Sequence, residues 1–303
     1  MTLLTYQIFQ TVVEQKSFQR AAELLNLTPS AISHAISAAE KELGFPLFNR
    51  SKNGVTLTSY GENLQPYILT VINSDAKLQQ AILEFNGLTR GSVKIGTFSS
   101  VCNNFIPDLV TTFSELHPHI EIKIHQGNCD DVYTWIKTGV VDLGFLSEST
   151  YKDLEITTLY QDELLCVVPK SFYTEHRSYI EWNELENQPF ISQHENADTD
   201  IQYLLHKHQL KIHSSCHAAD DLSIIAMVSA GLGICIMPKL VMQNVPYDVN
   251  TYSFKPSEYR TIGVCSLNTN LMTPVAKSMY KHILRYFSNL SDPKKKIGRK
   301  SNA

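Results

Sequence analysis

The 303-residue chain has no apolar run long enough to cross a bilayer. Its most apolar stretch, Leu222 to Met237, follows Asp220 and Asp221, carries Ser229, Gly231 and Gly233, and stops at Pro238, short of the roughly 18 unbroken apolar residues a span requires. No membrane helix is expected. The N-terminal Met1-Thr2-Leu3-Leu4-Thr5 lacks a basic segment and reaches Glu14 and Lys16 within an amphipathic pattern, so no secretory signal is read and a cytoplasmic location is expected. The six cysteines, Cys102, Cys129, Cys166, Cys216, Cys235 and Cys265, form no C-x-x-C pair, which argues against a disulfide or zinc framework. Also missing are G-x-S-x-G, G-x-x-x-x-G-K-[ST], H-E-x-x-H and G-x-G-x-x-G, so neither an activated nucleophile nor a cofactor loop is proposed and no enzyme is expected. Charge excess is small. The net −4 divides into +1 over residues 1–60, −9 over 61–291 and +4 over 292–303. An acidic middle binds polyanions poorly, which leaves nucleic-acid contact to the N-terminal segment or the basic tail.

What is present is an ordinary globular composition, 43% hydrophobic and 18% charged, in a length that suits two or three domains. Residues 4–48 read as three helices. Leu4, Ile8, Val12 and Val13 recur at helical spacing. Ser17 can cap a second helix that buries Phe18, Ala21, Ala22, Leu24 and Leu25, and Thr28-Pro29 is a cap and first-turn pair opening a third. That third helix turns Ile32, Ala35, Ile36, Ala39 and Leu43 inward and leaves Ser30, Ser33, His34 and Ser37 outside, ending at Gly44. Asn53-Gly54, flanked by Arg50 and Lys52, is a hairpin signal. Short hydroxyl side chains let a helix sit deep in a major groove, while a basic hairpin reaches phosphates or the minor groove. The same pattern also fits a small helical subdomain with a solvated face.

Between these readings a resemblance decides. Phe9, Ser17, Phe18, Ala21, Ala22, Leu25, Thr28, Pro29, Ser30, Ala31, Ile32, Ser33, Ile36, Glu40, Leu43, Gly44, Leu47, Phe48, Arg50, Leu57, Thr58 and Gly61 resemble the winged-helix signature of the LysR-type transcriptional regulators. The family usually has Arg where His34 stands and Leu where Ala39 stands. The resemblance implies that Thr28, Pro29, Ser30, Ser33, His34, Arg50, Lys52 and Asn53 meet double-stranded DNA, with Ser30 and His34 near base edges.

From Ser59, with Glu62 as the second member of a capping box, a helical pattern runs to Phe85 and stops at Gly87. Leu64, Ile68, Val71, Asp75, Leu78, Ile82 and Phe85 are spaced 4, 3, 4, 3, 4, 3, a 3.5-residue period that predicts pairing with another helix. Packing on its own domain would also hold such a stripe. In the resembling family this segment is the dimerising linker, which implies a homodimer through Leu64, Ile68, Val71, Leu78, Ile82 and Phe85, and a dimer of dimers through the domains that follow.

Residues 91–290 alternate strand and helix. Ser92–Ile95, Ile106–Leu116, Ile120–His125, Asp130–Lys137 and Asp142–Leu146 give β-α-β-α-β and predict a parallel, doubly wound sheet. Leu164–Val168, Thr199–His208, Lys211–Cys216, Leu222–Ala230 and Ile234–Met237 form a second unit, and Thr261–Cys265 with Thr273–Leu290 return to the first. Two such units resemble the type 2 periplasmic-binding-protein fold of LysR-type effector domains. The expected division is 1–58 winged helix-turn-helix, 59–87 linker, 91–290 effector domain (91–162 with 266–290, and 163–265), and 291–303 a basic tail.

Ligands of open α/β sheets bind beyond strand carboxyl ends, near helix N-termini. Ser99 and Ser100, then Asn128, and Ser192 lie at such positions, where a hydroxyl or amide can meet a small anion or merely cap a helix. By resemblance these four contact an effector, with Phe145 and Leu146 lining the cleft and no Arg or Lys in the loops. His206, His208, His213, Cys216 and His217 match no zinc spacing and read as solvated. Cys102 and Cys129 read as small buried hydrophobes more readily than as redox sensors. The peroxide-sensing members carry a cysteine pair early in the second unit, and Ser192 to Gln202 has none. The expected function is a DNA-binding regulator controlled by a small, anionic effector, without cofactor or metal. The alternative is a cytosolic small-molecule-binding or thiol-based redox-sensing protein of the same fold.

Overall fold

The computed structural model describes residues 1–51, 54–85, 91–147, 151, 153–172, 177–193, 199–212, 214–218, 220–243 and 245–291. Helices α1 (Leu3–Gln15), α2 (Phe18–Leu25) and α3 (Pro29–Leu43) precede a hairpin of β1 (Phe48–Ser51) and β2 (Gly54–Leu57). Hydroxyls set each start: Thr2, Ser17 and Thr28 accept from the amides of Thr5, Arg20 and Ala31, a cap contributing about 1 kcal/mol apiece. Gly44 closes α3 at φ +83°, a conformation that side chains resist. Ile8, Phe9, Val12, Ala21, Ala22, Ile32, Ile36, Leu47 and Phe48 form the core of this small domain.

Helix α4 spans Ser59–Phe85. Its first turn departs from the expected Ser59–Glu62 box. Thr58 supplies the cap, accepting from Gly61 N at 3.1 Å while donating to the carbonyl of Pro46 at 2.8 Å. Thr58 wins because β2 delivers it directly beneath the Pro46-Leu47 carbonyls. Three faces of α4 then do different things. Leu64, Ile68 and Ile72 pack into the winged-helix core. Asn73, Lys77 and Gln80 reach the following domain, through Asn73 Nδ2 to Thr138 O at 2.9 Å, Lys77 to Asp142 at 3.5 Å and Gln80 Nε2 to Ser92 O at 2.8 Å. Tyr67, Val71, Leu78 and Ile82 stay exposed.

The remaining elements are β3 (Gly91–Thr97), α5 (Ser99–Asn104), α6 (Ile106–Leu116), β4 (Ile120–Gln126), α7 (Cys129–Lys137), β5 (Leu143–Ser147), β6 (Thr157–Pro169), β7 (Tyr179–Glu181), β8 (Phe190–Gln193), α8 (Thr199–Lys207), β9 (Ser214–Ala218), α9 (Asp221–Ser229), β10 (Cys235–Pro238), β11 (Val249–Lys255), β12 (Tyr259–Cys265) and α10 (Pro274–Ser291). The long sheet runs β4-β3-β5-β12-β6-β11-β7, with β10 also on β6, and β8-β9 form a separate parallel pair. The β-α-β-α-β pattern predicts a parallel sheet, but this one is mixed. β4-β3-β5 are parallel, but β12 is antiparallel to β5 and β6, and β6 is antiparallel to β10 and β11.

The segment read as Leu164–Val168 is the second half of β6, a thirteen-residue strand. A boundary at 162/163 therefore falls inside a strand. The return to the first unit also occurs within a strand, because Ile262–Cys265 of β12 already pair with β5. Two antiparallel strands thus connect the units. Each unit keeps its own core: Val93, Leu109, Phe113, Phe145 and Ile283 in the first, Leu164, Ile180, Leu185, Phe190 and Phe254 in the second.

Candidate functional site

Helix α3 holds Thr28, Pro29, Ser30 and His34 exposed, with Ser33 half-buried beside them. Thr28 Oγ1 lies 3.0 Å from Ser30 Oγ, so the first turn is ordered by its own hydroxyls. Arg50 comes from β1 across this face. Its Nη1 donates to Ser33 Oγ at 3.3 Å and its Nη2 to Ser37 Oγ at 3.4 Å, while the guanidinium lies 4.7 Å from the centre of the Phe18 ring. The hairpin cation and the serine face are therefore one surface. Lys52 and Asn53 lie outside the described residues, as do residues 292–303.

On α4 the expected stripe splits. Ile68 is 5% exposed and Leu64 packs beside it in the winged-helix core, whereas Val71, Leu78 and Ile82 are 44%, 57% and 44% exposed. Leu64 and Ile68 are thus not free to face a second helix. Tyr67 is exposed on the open face, and between Val71 and Leu78 Ser74 is exposed while Asp75 is half-buried. The side chain of Phe85 is outside the described residues.

A cleft of about 270 Å³ opens between the two α/β units, lined by Phe98, Ser99, Ser100, Gly127, Asn128, Cys129, Gln193, Asp200, Asp220, Asp221, Pro238, Val241 and Arg260. Ser99, Ser100 and Asn128 are there as expected. Asn128 is also the cap of α7, with Oδ1 accepting from Asp131 N at 2.8 Å. Ser99 caps nothing; its hydroxyl accepts from Gln126 Nε2 at 3.2 Å. Three expectations are corrected. Phe145 and Leu146 are fully buried on opposite faces of β5, inside two hydrophobic cores, because this strand is covered on both sides. Ser192 points elsewhere: its hydroxyl donates to Ser214 Oγ at 2.9 Å, sits 2.8 Å from His217 Nδ1, and lines a separate 20 Å³ crevice under β8. Its neighbour Gln193 faces the cleft instead, as strand alternation requires. The cleft also contains a cation that the loops lack.

That cation is Arg260, on β12. Its Nε and Nη2 donate to Asp162 Oδ2 at 3.0 and 2.7 Å, and Nη2 also donates to Ser100 Oγ at 2.7 Å. Asp162 is fully buried and takes Leu240 N on its other oxygen. Burial pushes the Asp162 carboxyl up despite the pull of Arg260. Asp221, which accepts from Gln193 Nε2, is likewise pushed up by burial. Asp220 is held below the usual carboxylate range by the Ser223 hydroxyl and amide it caps.

Among the described residues the histidines do not converge. His208 stacks on Trp182 with centroids 4.2 Å apart and meets Glu258 at 2.9 Å, His206 is exposed, and His213 is outside the described residues. No three His, Cys, Asp or Glu side chains among the described residues could hold a metal ion. Cys102 is half-buried and its thiol is pushed up by burial, the opposite of a reactive thiolate.

Residues 3–62 match the bacterial regulatory helix-turn-helix protein, lysR family, and residues 86–288 match the LysR substrate binding domain. The chain belongs to the LysR family. This LysR regulator binds DNA and controls transcription; it is not an enzyme. Among curated relatives it is 28% identical over 290 residues to an uncharacterized HTH-type transcriptional regulator, YvbU, of Bacillus subtilis, covering 92% of this chain and 99% of that one. A full-length OxyR variant from Pseudomonas aeruginosa superposes with a TM-score of 0.69 at 19% identity, over 95% of this chain and 97% of the other. The effector-binding domain of QuiR in complex with shikimate gives 0.60 at 23% identity, over 66% and 98%. Both share its fold. No helix among its described residues is long and apolar enough to cross a membrane.

Proposed function

We propose that this LysR regulator is switched by a small molecule bound in the cleft between its two α/β units, and that it acts on double-stranded DNA as a homodimer or dimer of dimers in the cytoplasm. The observation that carries this reading is the cleft itself, where Ser99, Ser100, Asn128 and Arg260 present polar groups between units that β6 and β12 connect. The division of labour follows the chain: 1–58 for DNA, 59–87 for dimerisation, 91–290 for the effector. DNA contact falls to Thr28, Pro29, Ser30, Ser33 and His34 on α3, with Arg50, Lys52 and Asn53 on phosphates or in the minor groove. Dimer contact falls to Tyr67, Val71, Leu78 and Ile82.

A metabolite thermal-shift screen on the full chain tests the cleft. A specific ligand at 100 times its Kd adds about 2.7 kcal/mol of stability. That gain is expected to vanish in Ser100→Ala/Asn128→Ala, and a hit that survives both substitutions would move the effector elsewhere. The redox alternative has less support, since burial pushes the Cys102 thiol up, away from a reactive thiolate.

A further inference from the structure

The charges around the cleft do not suit a simple anion. Its described wall carries three carboxylates, Asp200, Asp220 and Asp221, against one guanidinium, Arg260. The charge of that guanidinium is matched by Asp162 beneath it, so the cavity faces a net negative wall. The negative side chains all come from the second unit, at the starts of α8 and α9. The opposite wall, from the first unit and β12, is made of donors: Ser99, Asn128 and the Arg260 guanidinium, whose Nη1 has no partner among the described residues. A metal ion does not answer the negative wall, because no three ligand groups among the described residues converge. An organic cation of a few heavy atoms does.

We infer that the effector is a small amino-acid-like zwitterion, its ammonium held by Asp221 with Asp200 beside it, and its acid group held by Ser99, Asn128 and Arg260. The inference rests on the reading of the cleft as the effector site. Asp221 is the strongest acceptor on geometric grounds: it is sheltered, it faces the cavity, and its side-chain partner among the described residues is the neutral amide of Gln193. Burial pushes its carboxyl up, against the opposing pull of the nearby Arg260 charge and the Gln193 amide. Asp220 stays turned to Ser223 and adds field rather than contact. A ligand with only a carboxylate would meet that wall unpaired, and a ligand with only an amine would leave the donors of the first unit unused.

The test is calorimetry and thermal shift on the full chain with three probe sets at 10 mM: the proteinogenic L-amino acids, the 2-hydroxy acid counterpart of each, and the corresponding decarboxylated amines. The expected result is one or a few amino acids that bind, with at least a hundredfold loss when hydroxyl replaces the amine and at least a tenfold loss in Asp221→Asn. Asp200→Asn, with the melting temperature of each apo variant checked, is the second arm should Asp221→Asn disturb α9. Hydroxy acids binding as well as amino acids, with sensitivity to Ser100→Ala, would overturn the zwitterion and keep the cleft as effector site. Binding of any probe that ignores Ser100→Ala, Asp200→Asn and Asp221→Asn would overturn the cleft reading itself. No shift from any amine-bearing probe would overturn the inference, leaving the DNA-binding role untouched.

Discussion

Arg50 illustrates how one side chain joins two elements: it leaves β1, rests on Phe18 and lies over the serines of α3. A guanidinium already ordered over α3 would lose little freedom on meeting a phosphate. Arg50→Ala should weaken binding to all DNA sequences alike and flatten the dependence of log affinity on log salt by about one unit, measured by titration in rising salt. His34→Ala should instead change the preferred sequence in a binding-site selection; an unaltered consensus would remove His34 from base reading. The Arg260–Asp162 pair gives a stability prediction. Arg260→Met strands a fully buried carboxylate, a loss of about 3–5 kcal/mol for such pairs. Because a raised carboxyl binds its proton more readily folded than unfolded, its contribution is present at acid pH and lost as pH rises through the folded value. The variant's melting deficit should therefore shrink from pH 8 to pH 5, and Asp162→Asn should restore much of it. Such residues were not legible in the sequence. Arg260 lies 160 positions from Ser100, which it bonds, and no local spacing links them. Phe145 misleads for another reason: in a strand whose every residue is buried, nothing in the pattern says which face is the cleft.

At the scale of elements, helices and strands were largely readable, since caps, periodicity and Gly or Pro boundaries are local. Partners were not. The 3.5-residue stripe of α4 announces a packed helix but not which body receives each turn. The winged helix takes Leu64 and Ile68 and leaves Tyr67 outside. Leu78→Asp or Ile82→Asp should dissociate the dimer in sedimentation with the melting temperature of the fold little changed. Ile68→Ala, by contrast, should cost about 2–5 kcal/mol of winged-helix stability whatever the oligomeric state. Gly61 sets a tighter limit: a Cβ there would overlap the Leu47 carbonyl oxygen and the Leu57 side chain, so Gly61→Ala should destabilise the junction of wing and linker by about 1–3 kcal/mol, read by chemical denaturation. The short strands β7, β8 and β11 escaped the sequence because they pair with elements far along the chain and carry little alternation of their own.

For the whole molecule, the sequence order β-α-β-α-β suggested two parallel sheets, whereas long-range pairing of β6 with β12 makes one mixed sheet passing through both units. An effector can act on such a molecule only by binding one inter-unit arrangement more tightly than another. One chain of contacts links the cleft to the helix that leads to the DNA-binding end. Helix α7 begins at the cleft, where Asn128 and Cys129 form part of the wall, and ends at Thr138, whose carbonyl is gripped by Asn73 of α4. Nine helical residues make a strut of about 13 Å. A tilt of this single short rod would move the cleft wall and the linker contact together.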